Sequence, residues 1–138
     1  MIVMDTSVLD AALRSPMGAS RFLLVEILRG RIQAGASTAL FLEYEAVLTR
    51  PDHLDAFNLK RVQVLKILAA LANQLVPIYI WYRWRPSLSD LGDEHVLEAA
   101  VNGGSKSIVT FNTKDFKNAK AFGIEIFLPR ELVKRHKS

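Results

Sequence analysis

Four acidic residues, Asp5, Glu43, Asp93 and Asp115, stand far apart along a chain of 138 residues, each where an apolar strand-like run ends or a helix-like stretch begins. In an α/β fold such positions lie along one rim of the sheet, outside the carboxyl ends of parallel strands, where ligands collect. Carboxylates gathered at one spot repel and raise one another's pKa values unless a cation neutralises them. Mg²⁺ or Mn²⁺ meets that need, because these ions prefer oxygen ligands and keep several waters, leaving room for a substrate phosphate. Such an ion polarises a phosphodiester, makes a bound water more acidic and balances charge on the departing oxygen. The chemistry this pattern points to is phosphodiester hydrolysis.

Each acid also has a plainer reading. Asp5 precedes a helix and is a natural N-cap. Asp93 stands in the first turn of its helix, where any carboxylate is favoured by the dipole, as are Asp90 and Glu94 beside it. Asp115 is an ordinary turn residue when taken alone. Glu43 lies one turn from Leu40 and one turn before Val47, on the apolar side of its helix, where a charge wants a partner or a metal; Glu45 is the competing choice on the wetter side. The combination, rather than any one residue, carries the reading.

Other chemistries find less support. The chain has no cysteine, so zinc-thiolate sites, thiol nucleophiles and disulfides are excluded. His53, His95 and His136 show no metal-ligand spacing, and no Ser-His-Asp arrangement suggests a triad. His95, within the acidic helix start, is a phosphate contact or simply an exposed helix residue. The stretch WYRWRP interleaves Trp81 and Trp84 with Arg83 and Arg85, a composition suited to stacking on unpaired bases; packing under a loop or in a subunit interface explains the tryptophans equally well. No glycine-rich phosphate loop is present, and Asn102-Gly103-Gly104 reads as a helix stop.

The elements that would position the acids alternate. Ile2–Met4 is an apolar run ending at Asp5, and Thr6 and Ser7 cap a helix over residues 7–14. Residues 17–34 place Phe22, Val25, Leu28 and Ile32 at helical spacing. Residues 36–38 form a brief strand or link, and 40–50 a third helix stopped by Pro51. A stripe from Phe57 to Leu71 predicts a helix over 57–73, and LVPIYI (75–80) a strand with Pro77 at an edge or irregular start. Residues 81–90 are a loop, 93–101 a helix, 107–110 a buried strand, 112–118 a turn or single helical turn, 124–127 a last strand, and those after Pro129 a terminal helix. Strands separated by helices imply crossovers, hence an α/β architecture with a mainly parallel sheet covered on both faces. Without repeats, low complexity or a linker, residues 1–138 are predicted to form one domain.

Half of the residues are apolar, enough for a core without disulfides. The net charge of +4 and pI near 9.6 favour a polyanionic partner without demanding one. The terminal KRHKS reads as a solvated end. There is no leader-like start and no apolar stretch approaching the roughly 20 residues needed to cross a bilayer, so a cytoplasmic protein without membrane contact is expected.

Four segments in this order, IVMDTSVL, FLEYEAVLTRP, DLGDEHVLEAAVNGGSKSIVTFNTKDF and GIEIFLPRELV, resemble the PIN domain, and within it the small VapC-like toxins of toxin–antitoxin pairs. The likeness covers nearly the whole chain. It implies a three-layer α/β/α sandwich and a Mg²⁺- or Mn²⁺-dependent endoribonuclease with four clustered acids. Matched position by position, the family's catalytic acids fall on Asp5, Glu43, Asp93 and Asp115, with Asp5, Asp93 and Asp115 as metal ligands. Asp90 is then a supporting residue, as are Thr110 and Asn112 of the TFNTKDF element, while Thr6 or Ser7 orients Asp5 or a bound water. Many members carry Asp where this chain has Asn112, which keeps an oxygen ligand but removes a charge. Arg14, Arg83 and Arg85 would steer RNA. The resemblance further implies a restraining antitoxin partner and a homodimer.

A second reading is a non-catalytic RNA-binding or protein-interaction module that kept the fold and lost its metal, which Asn112 makes conceivable. A third, a phosphatase or phosphoacceptor built on Asp5, lacks the second Asp two residues on that such chemistry employs.

Overall fold

The strand β1 (Ile2–Met4) is apolar at every position, and all three side chains are buried. Since successive strand side chains point to opposite faces, protein must cover both sides of it. The same holds for Ile108 and Val109 of β4 (Ser107–Val109). In the computed structural model, which describes residues 1–81 and 91–138 and only the backbone of Leu91 and Gly92, β1 pairs in parallel with β4, Val3 opposite Ile108. β4 pairs in parallel with β5 (Glu125–Phe127). On the other flank, Ile2 bridges to Ala34 beside β2 (Gly35–Ala36), which pairs in parallel with β3 (Val76–Pro77). Among the described residues the strands therefore run in the order β3-β2-β1-β4-β5, a parallel α/β sheet as expected. The chain winds outward from β1 to β3 and resumes on the opposite side at β4. That reversal leaves a crevice beyond the carboxyl ends of β1 and β4, where α/β sheets bind ligands.

Helices fill the crossovers. α1 (Thr6–Arg14) packs against α2 (Ala19–Leu28) and α3 (Thr38–Leu48); α2 also meets α5 (Arg61–Gln74) and α7 (Pro129–Lys137). α6 (Leu91–Asn102) lies on β1, β2 and β4 and touches α3. Leu23, Ile27, Leu40, Leu97, Ala100 and Phe116 share one core with the strands. Gly35 is closely packed: a Cβ there would fall 2.7 Å from Met1 Sδ and 2.8 Å from Ile78 Cδ1. No helix among the described residues is long and apolar enough to cross a membrane.

Several boundaries depart from expectation for local reasons. The helix predicted over 17–34 stops at Leu28, because Gly30 adopts φ +74°, a left-handed conformation that ends a helix at little cost to glycine. Pro51 does more than stop α3: it opens a short helix, α4 (Pro51–Phe57), where a proline lacking its N–H is tolerated in the first turn. Asn58, at φ +56°, closes that helix, so α5 begins at Arg61 rather than near Phe57. The strand predicted over 75–80 shrinks to two paired residues, since Pro77 has no amide to donate. The turn expected over 112–118 is a longer 3₁₀ segment, Thr113–Phe122, kinked at the buried Phe116.

Candidate metal centre

Asp5 is the first residue beyond β1. Its backbone N–H donates to the Val109 carbonyl at 2.9 Å, so the sheet's hydrogen bonding continues through it. It occupies the N-cap position of α1, yet its side chain makes no capping bond. The carboxylate instead accepts two hydroxyls on a single oxygen: Ser7 Oγ and Thr110 Oγ1 each donate to Oδ2 at 2.7 Å. Neither uses Oδ1. Asp5 is 6% exposed and Thr110, the first residue past β4, is fully buried. Ser7 accepts the Phe111 N–H at 3.3 Å and Thr110 Oγ1 accepts the Asn112 N–H at 2.9 Å. The loop after β4 is thereby tied to the residues after β1.

Glu43 arrives from α3. Ser37 caps that helix, its hydroxyl accepting the Leu40 N–H at 3.1 Å. One residue past Glu43, the fully buried Tyr44 donates its phenol to the Met4 carbonyl at 2.5 Å, pinning the helix to the end of β1. Thr6 then donates to Glu43 Oε2 at 3.2 Å. Asp93, 7% exposed in the first turn of α6, completes the set. Asp5, Glu43, Asp93 and Asn112 line one cleft of about 160 Å³ beside Val47. Burial chiefly, and then the charges of Asp5 and Glu43, push the Tyr44 phenol well above its ordinary pKa, so the crevice carries a negative field.

The arrangement suits a hard divalent cation. Its donors are oxygens, two of the carboxylates are buried, and the volume admits several waters at about 30 Å³ each. Among the described residues no three His, Cys, Asp or Glu side chains form a ready-made cage.

Other predicted site residues lie elsewhere. Asp115 is exposed on the 3₁₀ segment, its N–H donating to the Asn112 carbonyl at 3.0 Å, and it does not line the cleft. Glu45 is half-buried and away from the cleft. Asp90, Arg83, Arg85 and Trp84 lie outside the described residues, while Trp81 is 86% exposed and donates its backbone N–H to Asn102 Oδ1. His95 is half-buried rather than exposed, and its Nδ1 is shielded without a partner among the described residues. Arg14 donates Nε to Asp10 Oδ2 at 2.6 Å and lies over the Phe57 ring, so part of its charge is matched. Asp10 also meets His53 Nδ1 at 2.6 Å.

Sequence reasoning missed Tyr44 and the Asp10–His53 pair. Only Tyr44 had a local signal: a tyrosine on the buried side of a helix needs a hydrogen-bond acceptor. Asp10 and His53 meet across 43 positions without any pattern to announce it.

A family model for the PIN domain matches residues 1–114. No curated protein and no solved structure matches the chain.

Proposed function

The chain belongs to the PIN domain family, whose members are generally nucleases, and from that premise we propose that it is a metal-dependent endoribonuclease, the toxin of a toxin–antitoxin pair. The observation that carries this reading is the convergence of Asp5, Glu43 and Asp93 on one cleft at the switch point of the sheet. Asp5 and Asp93 would hold Mg²⁺ or Mn²⁺, with Asn112 offering an amide oxygen; Asp115, which does not line the cleft, would join them only if its loop turned inward. When bound, the ion supplies charge neutralisation at the phosphodiester and acidifies water. Ser7 and Thr110 keep Asp5 in one orientation, directing its charge to the cleft. Glu43, steadied by Thr6, accepts the proton of the attacking water. Buried walls around Asp5 and Asp93 limit competing solvent and strengthen their interaction with a cation. Arg14, Arg83 and Arg85 would steer RNA, an antitoxin would restrain the activity, and two copies would form a dimer.

Asp5→Asn and Asp93→Asn are each expected to lower RNA cleavage at least a hundredfold with Mn²⁺ supplied, while circular dichroism of the fold is unchanged. Two folded variants that cut like the parent would move the site elsewhere. One observation favours a second reading, a binding module without a metal: the cleft-lining residue of the last loop is the neutral Asn112, not Asp115. Calorimetric titration separates the two. Mn²⁺ binding that Asp5→Asn removes supports the enzyme, and no binding at millimolar Mn²⁺ supports the module.

A further inference from the structure

A polyanion meets an obstacle at the acidic cleft. Asp5, Glu43 and Asp93 place three carboxylates there, more negative charge than a divalent ion offsets, so the phosphates on either side of the reacting one need cations from the rim. Two cations stand next to cleft-lining residues. Arg50 follows the last turn of α3, and its backbone N–H donates at 3.2 Å to the carbonyl of Val47, a wall of the cleft. Lys114 lies two residues beyond Asn112, another wall, inside the turn that the Asp115 N–H closes on the Asn112 carbonyl. These walls flank the start of α1. Thr6 and Ser7, about 100° apart around the helix axis, reach them separately: Thr6 donates to Glu43 of α3, and Ser7 accepts the Phe111 N–H from the loop after β4.

An exposed cation by itself is an ordinary solvated group. What sets these two apart is that both are tied by backbone hydrogen bonding to the cleft and that neither forms an ion pair among the described residues. Asp52, two residues past Arg50, lies 4.0 Å from His53 instead, whereas the nearby Arg14 is already matched by Asp10. Beyond Lys114 the cations continue. Lys117 and Lys120 follow at the three-residue repeat of a 3₁₀ helix, whose side chains at i and i+3 stand one above another, while Phe116 and Ala119 take the buried side. All three lysines are exposed on either side of the kink at Phe116, and Asp115 is the segment's single carboxylate.

We propose that Arg50 and Lys114 form a two-sided clamp on the substrate backbone, each holding a phosphate that flanks the one in the cleft, with Lys117 and Lys120 extending the track on the Lys114 side. Arg50 suits its place because a planar guanidinium grips phosphate oxygens through two parallel N–H bonds. Such contacts fix the register of the strand without reading its sequence. This inference rests on the ribonuclease reading for what lies in the cleft and adds the residues that seat the strand across it.

The test follows binding of short fluorescein-labelled RNAs to the whole chain by anisotropy across a salt series, with Ca²⁺ in place of Mn²⁺, and steady-state cleavage with Mn²⁺. Arg50→Gln and Lys114→Gln are each expected to weaken binding about three- to tenfold and to lower the slope of log K against log salt concentration by about 0.7, the loss of one phosphate contact on a single strand. The weakening should be equal for RNAs of different sequence, with KM raised by the same factor and kcat held; Arg50→Lys should recover the slope. Lys66→Gln removes the same net charge from the exposed side of α5, which contributes nothing to the cleft, and is expected to keep the parental slope. An unchanged slope in either clamp variant overturns the two-sided clamp, and so does a Lys66→Gln slope lowered as much as theirs, which would make the attraction a diffuse field. If the parent binds RNA without cutting it, the slopes still decide the clamp and only the nuclease reading falls. If the parent neither binds nor cuts RNA, both fall.

Discussion

Asp5 and Tyr44 divide the work at the end of β1. The carboxylate is kept in one orientation by two hydroxyls on a single oxygen, and the phenol is held neutral by burial and by the acids beside it. The second point has a consequence for stability. Because the folded pKa lies above the ordinary 10.0, the unfolded chain loses this proton first as pH rises. The stabilisation is fully present below pH 10 and declines from there towards the folded pKa, by at most about 1.4 kcal/mol per pH unit. Tyr44→Phe is expected to cost about 1–2 kcal/mol at neutral pH, by removing the donor to the Met4 carbonyl. Between pH 9 and 11 that deficit should narrow, since Phe has no proton to lose; urea unfolding at both pH values checks it, and a constant deficit would show that Tyr44 does not titrate differently in the folded chain. Asp5 was legible as a strand-end carboxylate. Ser7 was among the residues expected to orient it, but the bond from Thr110 was not legible, because side-chain partners 105 residues apart leave no local trace.

Among the elements, α3 has the most demanding task, since it must deliver Glu43 to a sheet rim built by other segments. Its start depends on Ser37, 2% exposed, whose hydroxyl satisfies the Leu40 amide. Ser37→Ala should lower unfolding free energy by about 1 kcal/mol, measured by urea denaturation; an unmoved midpoint would mean that Tyr44 and the core alone place the helix. Helix periodicity and the alternation of strand and helix were readable because the core-facing residues repeat at helical spacing. The boundaries were harder: Gly30 and Asn58 end helices by entering left-handed conformations, and Pro51 starts one, which apolar spacing does not register.

At the scale of the whole molecule, the last segments complete the core although the matched family region ends at residue 114. β5 pairs with β4 and α7 packs on α2. Phe116, Ile124, Phe127 and Leu132 are all buried. Burial of each such side chain contributes about 1.5–3 kcal/mol, together comparable with the roughly 5–15 kcal/mol that holds a domain folded. We propose on this ground that the last segments fold with the rest as one unit, and a chain cut after residue 114 is expected to lose cooperative thermal unfolding by circular dichroism; a sharp transition in that fragment would assign the last helix to a separate role. Composition and patterning by themselves determined the α/β class, the parallel sheet, the oxygen-only chemistry open to a cysteine-free chain, and the acids at strand ends and helix starts, because each of these is a local or additive property of the residues. Tertiary structure alone decided which acids share a cleft, and that Asn112 lines it while Asp115 does not, because convergence depends on how distant segments cross the sheet, and no spacing along the chain encodes a distance in space.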